Sequence, residues 1–322
     1  MIFPHENLKN FKDAGKKILE YLHNHLGFSL WMITRTEGND WIILQTEDHG
    51  YGVKSGQVFN WDDSYCSQMV LGNGPRIAPD SEEIPVYAKA GINKFVDIKA
   101  YIGQPLFNED GSLFGTLCAI DPSPQPQSIE GASDLLELFS LLLSRILQNE
   151  LKLNEQKRVS EKFQMDSLTD HLTGIFNRRA WDNLLDLEEN RCKIYGHPTT
   201  IIIIDLNDLK YVNDKFGHSE GDRIIQKTAQ ILKKSVRAGD LVARLGGDEF
   251  GILNIETNLE NTQKLANRIL ESFQKVGINA AIGIAVREPD KSLQQTLIEA
   301  DKQMYKNKLK IKSGFVDNEC NE

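Results

Sequence analysis

Residues 241–255 read LVARLGGDEFGILNI, and this stretch decides how the second half of the chain is interpreted. A mostly apolar run ends at Leu245 and two glycines follow; Asp248 and Glu249 then stand side by side, and a second apolar run begins at Phe250. This pattern predicts a β-hairpin, in which glycine allows a sharp bend and the close approach of a ligand. Adjacent carboxylates at a turn repel each other, so they require a cation or a reacting group nearby. A solvated acidic hairpin tip is the alternative that this stretch alone leaves open.

A third carboxylate follows another strand-like run. Residues 199–204 (TTIIII) are β-branched and apolar, which is typical of a strand buried on both faces, and Asp205 comes directly after them. If this strand lies beside the hairpin, Asp205 and Asp248 converge on one site. Carboxylate oxygens with no Cys or His nearby favour Mg²⁺ or Mn²⁺, held together with substrate phosphates. The sequence therefore predicts a divalent-metal site.

Length and composition limit the function classes. The 322 residues suffice for two domains, and 40% hydrophobic with 26% charged residues is typical of a soluble globular protein. A net charge of -9 argues against a nucleic-acid partner. There is no apolar run of the roughly 18 to 20 residues that a membrane helix needs and no secretory signal, so we expect a cytoplasmic protein. Its four cysteines lack CxxC spacing, so they predict neither a disulfide framework nor a zinc site, and we interpret them as reduced thiols.

The N-terminal half has the pattern of a mixed α/β module. Residues 8–26, including Leu8, follow the spacing of an amphipathic helix. Four strand-like runs follow, at residues 28–34, 41–46, 101–107 and 112–121. The hairpin YIGQPLFNEDGSLFGTLCAIDP (101–122), with the preceding residues 62–80, resembles a GAF domain, a small sensory fold.

GAF domains bind many small ligands or none, so this resemblance does not name one. Cys66 and Cys118 are followed by Ser and Ala rather than by His, which argues against a covalently attached bilin. Residues 93–97 (NKFVD) resemble the cyclic-nucleotide signature of some GAF domains, although the matching residues are more closely spaced here. A cyclic nucleotide therefore stays an alternative ligand. The leading interpretation is a structural and dimerising module with an unknown small ligand or none.

Residues 131–166 are predicted to form a helix that leaves the GAF-like domain and connects it to the next one. Apolar residues follow three-four spacing along it, as in a helix that pairs with its twin in a homodimer. The polar stretch 154–162 supports the alternative of a single surface helix.

Four motifs in the C-terminal half resemble the GGDEF domain of diguanylate cyclases. They are DHLTGIFNRRAW (170–181), DLNDLKYVNDKFGHSEGD (205–222), RLGGDEF (244–250) and the final segment TLIEADKQMYKNKLKIKSG (296–314). We expect residues 205–222 to be a loop and residues 224–236 to form an amphipathic helix. The resemblance implies an α/β (α+β) chain of two domains joined by a long helix. The first is a GAF domain, which has a mixed antiparallel sheet with helices, and the second is a palm-like GGDEF domain, whose central sheet is surrounded by helices. We predict the GAF-like domain at residues 1–150, the linker helix at 151–168 and the GGDEF domain at 169–322.

The resemblance also implies the roles of individual residues. Asp248 and Glu249 are the catalytic acids, and both bind metal together with Asp205 and the Leu206 carbonyl, two Mg²⁺ or Mn²⁺ ions to each half-site. The positions that it assigns to the GTP substrate are Lys210, Asn213, His218, Asp222, Gly246, Gly247, Lys308 and Lys312. Among these, the lysines contact phosphate, whereas the amide and the carboxylate recognise guanine, for which their donor and acceptor groups are suited.

Three positions depart from the family pattern. Asn207 replaces an acid, Leu209 replaces the common Phe, and Lys312 stands where Arg is usual, which keeps the charge but loses bidentate geometry. Asp222 follows the pattern and favours guanine at both halves of the product, because a Ser there marks variants that make mixed cyclic GMP-AMP.

Arg237 and Asp240 match the RxxD site at which these enzymes bind their product, cyclic-di-GMP, as an allosteric inhibitor. An ordinary helix end is the alternative, because RxxD alone is a common string. The sequence thus predicts a diguanylate cyclase that condenses two GTP into cyclic-di-GMP. There are two competing hypotheses: a catalytically silent GGDEF domain that acts as a GTP or cyclic-di-GMP receptor, and a GAF enzyme that acts through Cys66 or Cys118.

Overall fold

The computed structural model describes residues 10–163 and 168–313, except for the side chains of residues 162, 163 and 312. Contacts divide the chain into two compact units, residues 1–154 with 193–196 and residues 155–192 with 197–322. Leu8 of the predicted first helix, the last residues of the predicted linker helix and Cys320 lie outside the described residues. Among the described residues, no helix is both long and apolar enough to cross a membrane.

The first unit is built on an antiparallel sheet of six strands in the order β3-β2-β1-β6-β5-β4. The strands are β1 (Leu30–Glu37), β2 (Asp40–Asp48), β3 (Val58–Asn60), β4 (Ile77–Ala78), β5 (Ala100–Phe107) and β6 (Leu113–Asp121). The four long strands are those that the apolar runs predict. The strands β3 and β4 are missing from the prediction because two or three residues are too few to show a period.

Helices cover both faces of this sheet. They are α1 (Phe11–Leu26), α2 (Tyr65–Val70), α3 (Pro85–Ala88) and α4 (Ser133–Phe163), with 3₁₀ turns at Gly91–Lys94 and Gln127–Ala132. The helices α1 and α4 share one apolar cluster with the sheet, and α2 contributes to a second cluster on strands β1, β5 and β6. The helix α4 is continuous from the first unit into the second, as predicted for the connecting helix.

The second unit has a four-stranded antiparallel sheet in the order β10-β7-β9-β8. Its strands are β7 (Thr199–Leu206), β8 (Leu241–Arg244), β9 (Glu249–Ile255) and β10 (Ala280–Val286). Its helices are α5 (Arg178–Tyr195), α6 (Leu209–Phe216), α7 (His218–Ser235), α8 (Leu259–Gln274) and α9 (Leu293–Ser313). Every residue of β7 is buried, because apolar clusters lie on both faces of the sheet.

One local prediction is wrong. Residues 205–222 were expected to be a loop, with a helix beginning at Ile224, but α6 and the first turns of α7 lie within this segment. Only Gly217, with φ of 87°, separates the two helices. The helix α6 has only eight residues, too short a segment for its apolar positions Leu209, Val212 and Phe216 to establish a helical period.

Candidate functional site

The strand pairing brings the predicted metal ligands together. The central strand β7 lies beside β9, and Asp205 is the cross-strand partner of Glu249. The Leu206 amide donates to the carbonyl of Asp248 at 3.1 Å. Asp205 is only 5% exposed, although it is a carboxylate at the end of a buried strand. The condition stated from the sequence, that β7 must lie beside the hairpin, is therefore met.

The hairpin turn is held by its first strand. The Leu245 amide donates to the Glu249 carbonyl at 2.8 Å, and the Arg244 guanidinium donates to the Gly247 carbonyl at 2.8 and 3.2 Å. Neither turn glycine has a left-handed φ, so the bend itself does not require glycine. A Cβ on Gly247 would meet nothing within 4 Å, and one on Gly246 would lie 3.4 Å from Glu249 Oε2. The two glycines therefore leave space above the turn rather than relieve strain.

The segment before α5 is fastened to the same turn. Asp170 accepts from the Thr173 amide at 3.0 Å and from its hydroxyl at 2.6 Å, and Arg244 Nη1 lies 3.3 Å from both Asp170 oxygens. Partial burial acts to raise the pKa of Asp170, but the Thr173 and Arg244 donors outweigh it and hold the pKa below its usual range. This contact joins the entry of the second unit to the acidic hairpin.

Negative charge is concentrated at the end of the strand pair. Burial, followed by the carboxylates of Asp205, Asp248 and Asp301, raises the pKa of Glu249, and the Arg178 guanidinium opposes the shift. A cation stabilises a cluster of neighbouring carboxylates, and oxygen ligands of this kind fit Mg²⁺ or Mn²⁺. The sequence analysis did not single out Asp301 or Arg178, although both lie inside its quoted motifs.

A lysine already lies at this acidic cluster. Lys308, from α9, donates from Nζ to Asp205 Oδ1 at 2.6 Å. The predicted phosphate-binding lysine therefore lies within reach of the predicted metal ligands, although the two are 103 residues apart in the chain. Lys312 also belongs to α9, but its side chain lies outside the described residues.

A second group of predicted residues lies on α6 and α7. Asn213 Oδ1 is buried and has no hydrogen-bond partner in the part of the chain that the structure describes. A Cβ on Gly221 would lie 1.9 Å from that oxygen, so only glycine admits the Asn213 side chain in this position. Because a buried polar atom requires a partner, this oxygen makes Asn213 a candidate acceptor for a ligand N–H. Asp222, next to Gly221, is exposed, as are Lys210 at the start of α6 and His218 at the start of α7.

Two domain families match the chain. Residues 167–313 match the family described as diguanylate cyclase, GGDEF domain, and residues 10–147 match the GAF domain family. Diguanylate cyclase DgcP of Escherichia coli K12 is 30% identical over 270 residues, which are 80% of this chain and 77% of that protein. The chain belongs to the GGDEF family of diguanylate cyclases. The predicted family, enzyme class and fold class are thereby confirmed.

Other relatives of this diguanylate cyclase family member match a smaller part of it. Probable diguanylate cyclase DgcC of E. coli K12 is 30% identical over 184 residues, 54% of this chain, and the chain spans about half (49%) of the length of DgcC. The crystal structure of the GGDEF domain of DgcB from Caulobacter crescentus in complex with c-di-GMP is 25% identical, with a TM-score of 0.43; the match covers 45% of this chain and 89% of that structure.

The RxxD residues of this family member lie at the opposite end of β9 from Glu249, roughly 20 Å away for a strand of this length. Asp240 is buried and accepts from the Arg237 amide at 3.1 Å and the Ile255 amide at 3.2 Å. Arg237 donates to the Ile255 carbonyl at 2.8 Å, yet its side chain is 64% exposed. Asp240 thus fixes the loop, and the Arg237 guanidinium is the accessible cation.

Another cluster in the second unit has metal-ligating side chains, which the cysteine spacing did not reveal. Ligand atoms of Glu188, Cys192 and His197 lie within 4.8 Å of one another and are buried. However, Glu188 also accepts from Arg158 at 2.9 Å and from Arg191 at 3.1 Å. Although burial opposes it, contact with Cys192 and Glu188 raises the pKa of His197 to about 9. A protonated His197 and two guanidinium groups disfavour a further cation, so this cluster is an ion-pair network that ties α4 to α5.

Proposed function

We propose that this protein is a diguanylate cyclase that condenses two GTP molecules into cyclic-di-GMP and releases two pyrophosphates. The observation that carries the proposal is the pairing of Asp205 with Glu249 at the end of two neighbouring strands. Burial and the carboxylates of Asp205 and Asp248 raise the pKa of Glu249, and such an acidic cluster suits a reaction in which a metal and a triphosphate enter together.

The acids have two proposed tasks. Asp205, Asp248 and Glu249, with the Leu206 carbonyl, would hold two Mg²⁺ or Mn²⁺ ions, which stabilise negative charge on the attacking and leaving oxygens. Asp248 assists removal of the proton from the 3′-hydroxyl, whose oxygen then attacks the α-phosphorus of the other GTP. The space above Gly246 and Gly247 would admit the reacting phosphate close to these acids.

The remaining residues bind the nucleotide. Lys210 and Lys308 bind the terminal phosphates, with Lys312 as a further cation and His218 as a further substrate-binding residue. Asn213 accepts from or donates to the guanine edge, and the exposed Asp222 accepts from its N1 and N2 hydrogens. The support for this assignment is the buried, unpartnered Asn213 oxygen, which the absent side chain of Gly221 makes room for.

One subunit holds one GTP, so closure of the ring requires a second copy. We propose a cytoplasmic homodimer in which the GAF domains and the paired α4 helices determine whether the two half-sites face each other. We further propose that cyclic-di-GMP binds to the exposed Arg237 and holds an unproductive arrangement. The planar guanidinium can bind phosphate with two donors and stack on a base.

An assay of product formation from GTP tests the central proposal. Protein freed of bound nucleotide is incubated with GTP and Mg²⁺, and cyclic-di-GMP and pyrophosphate are quantified by chromatography and mass spectrometry. We expect both products from the wild type and a loss of at least about 100-fold in Glu249→Gln. The matched control is Glu260→Gln, since Glu260 is an exposed residue of α8. Absence of product from nucleotide-free dimer would contradict the proposal.

One observation favours the competing function of a silent receptor. The Lys308–Asp205 ion pair occupies a predicted metal ligand, so a site that kept this pair would bind nucleotide without turnover. Calorimetry with GTP and with cyclic-di-GMP distinguishes the two functions. Tight binding together with no product identifies a receptor, whereas product formation that depends on Mg²⁺ identifies the cyclase.

A further inference from the structure

Two of the buried cysteines lie together in the GAF unit. Cys66 belongs to the short helix α2, and Cys118 lies in the middle of β6. Both are free thiols, both belong to the same apolar cluster, and both line one cavity of about 30 Å³. Such a volume is comparable to that of one water molecule in the liquid, so an oxidant the size of hydrogen peroxide is of the right order for this cavity.

Hydroxyl groups converge on the two sulfur atoms. The Tyr101 hydroxyl donates to Cys66 Sγ at 3.3 Å, and Thr116 Oγ1 lies 3.4 Å from Cys66 Sγ and 3.7 Å from Cys118 Sγ. The Thr116 hydroxyl is therefore within hydrogen-bonding distance of both thiols at once. These donors stabilise a thiolate in a cavity that is otherwise apolar.

A glycine makes room for this arrangement. Gly103 of β5 is the cross-strand partner of Cys118, and a Cβ at this position would lie 1.8 Å from the Tyr101 hydroxyl. The hydroxyl thus occupies the space beside Gly103 and points from there to Cys66. The position of this donor depends on a residue without a side chain, so the surroundings of Cys66 are specifically shaped.

The two thiols are not equivalent. Burial acts to raise the pKa of Cys66, but hydrogen bonds from Cys118, Thr116 and Tyr101 outweigh it and lower the pKa. Burial, and contact with Cys66, raise the pKa of Cys118 well above its usual range. The geometry agrees with these directions, since Cys66 receives contacts from both Tyr101 and Thr116 whereas Cys118 has only the longer contact with Thr116, so Cys66 is the nucleophile of the pair.

We propose that Cys66 and Cys118 form a peroxide-reactive dithiol that closes to an intramolecular disulfide. The Cys66 thiolate attacks one oxygen of the peroxide, the O–O bond breaks, and the leaving hydroxide takes a proton to become water, which leaves Cys66 as the sulfenic acid. The Cys118 sulfur then attacks the Cys66 sulfur, the S–O bond breaks, and a second water leaves with the thiol proton. Two thiols are oxidised to one disulfide, and one peroxide is reduced to two waters.

The bond would join α2 to the central strand β6. Since a disulfide requires a sulfur–sulfur distance near 2.05 Å, the two sulfur atoms must approach each other to that distance. The proposal concerns the GAF unit alone, so it stands or falls independently of cyclase activity.

Peptide mapping of the full chain tests the proposal. The reduced protein is treated with hydrogen peroxide in slight excess, quenched by alkylation and digested under non-reducing conditions. We expect a linked Cys66–Cys118 peptide about 2 Da lighter than the sum of the two thiol peptides, which dithiothreitol separates. The wild type must not show this link before oxidation.

Single variants test the order of the steps. In Cys118→Ser, dimedone should trap a sulfenic acid on Cys66, whereas in Cys66→Ser it should not label Cys118. Tyr101→Phe should slow disulfide formation about tenfold, because one hydrogen bond to the thiolate is lost. Cys192→Ser, which changes a buried cysteine of the other unit, should leave the reaction unchanged.

Two results would overturn the proposal. One is that both thiols of the folded wild type survive peroxide and are oxidised only after unfolding in guanidinium. The other is that Cys118, rather than Cys66, carries the dimedone adduct in the single variants.

Discussion

Replacing Gly221 by Ala should separate stability from nucleotide binding. The new Cβ would lie 1.9 Å from Asn213 Oδ1, 2.9 Å from its Cγ and 3.3 Å from its Nδ2. All three atoms lie near the far end of a flexible side chain, so Asn213 can rotate away while the backbone of α6 and α7 stays in place. The variant should therefore fold normally and lose the positioned amide.

Gly221→Ala is expected to change stability and GTP affinity in opposite directions. Alanine is preferred to glycine inside a helix by roughly 0.5–1 kcal/mol, so the melting temperature should stay constant or rise. A guanine donor left without its acceptor costs about 1–3 kcal/mol, equivalent to a loss of GTP affinity of about 5- to 150-fold. Differential scanning calorimetry and titration with a non-hydrolysable GTP analogue measure the two quantities on the same sample.

A double-mutant cycle locates the cause. Asn213→Ala should weaken GTP binding to a similar extent, and Gly221→Ala should add little in the Asn213→Ala background, because both changes remove the same contact. An unchanged affinity in Gly221→Ala, or independent losses that add in the double variant, would refute the role assigned to the Asn213 oxygen.

Three further predictions concern charge. Without metal, Glu249→Gln should melt at a higher temperature than the wild type near neutral pH, and the difference in melting temperature should shrink as the pH falls. The reason is that the raised pKa of Glu249 makes its protonation favour the folded state, which melting curves at several pH values check. Arg237→Ala should keep the initial rate of product formation, and its progress curves should not slow as the product accumulates. The nearby control Lys233→Ala should slow as the wild type does. Protonated His197 should stabilise the fold fully below its unfolded pKa of about 6.5, and this stabilisation should disappear as the pH rises through about 9. The melting temperature of the wild type should therefore fall over this pH range, and that of His197→Gln should not show this fall.

The sequence predicts the acidic site well because its two strands have clear signals. The β-branched run before Asp205 and the glycine break before Asp248 each mark a strand end, and β7 and β9 pair so that these ends meet. The positions of Lys308 and Asn213 follow from the family resemblance instead. Neither residue shows a period or a local pattern that could indicate which atoms it contacts.

Contacts between distant segments explain what the sequence could not predict. The network of Glu188 and His197 forms because α4, α5 and the segment before β7 pack together. The spacing of cysteines and histidines in the sequence does not indicate that these segments are in contact. The helix α6 escapes prediction for a different reason, because its eight residues are fewer than the window of about 11–18 residues over which a helical period is recognised.

Lys308 and Asp205 form an ion pair at the acidic cluster. Asp205 is almost fully buried, so its carboxylate requires a positive partner, and Lys308 supplies it at 2.6 Å. A divalent cation brought by a triphosphate would take over Asp205 and at the same moment offer Lys308 a phosphate oxygen. We infer that the lysine exchanges one anion for another, so that neither charge is left unpaired in a low-dielectric site. Lys308→Met should accordingly weaken GTP binding and also destabilise the nucleotide-free protein, whereas a lysine that only bound phosphate would affect binding alone.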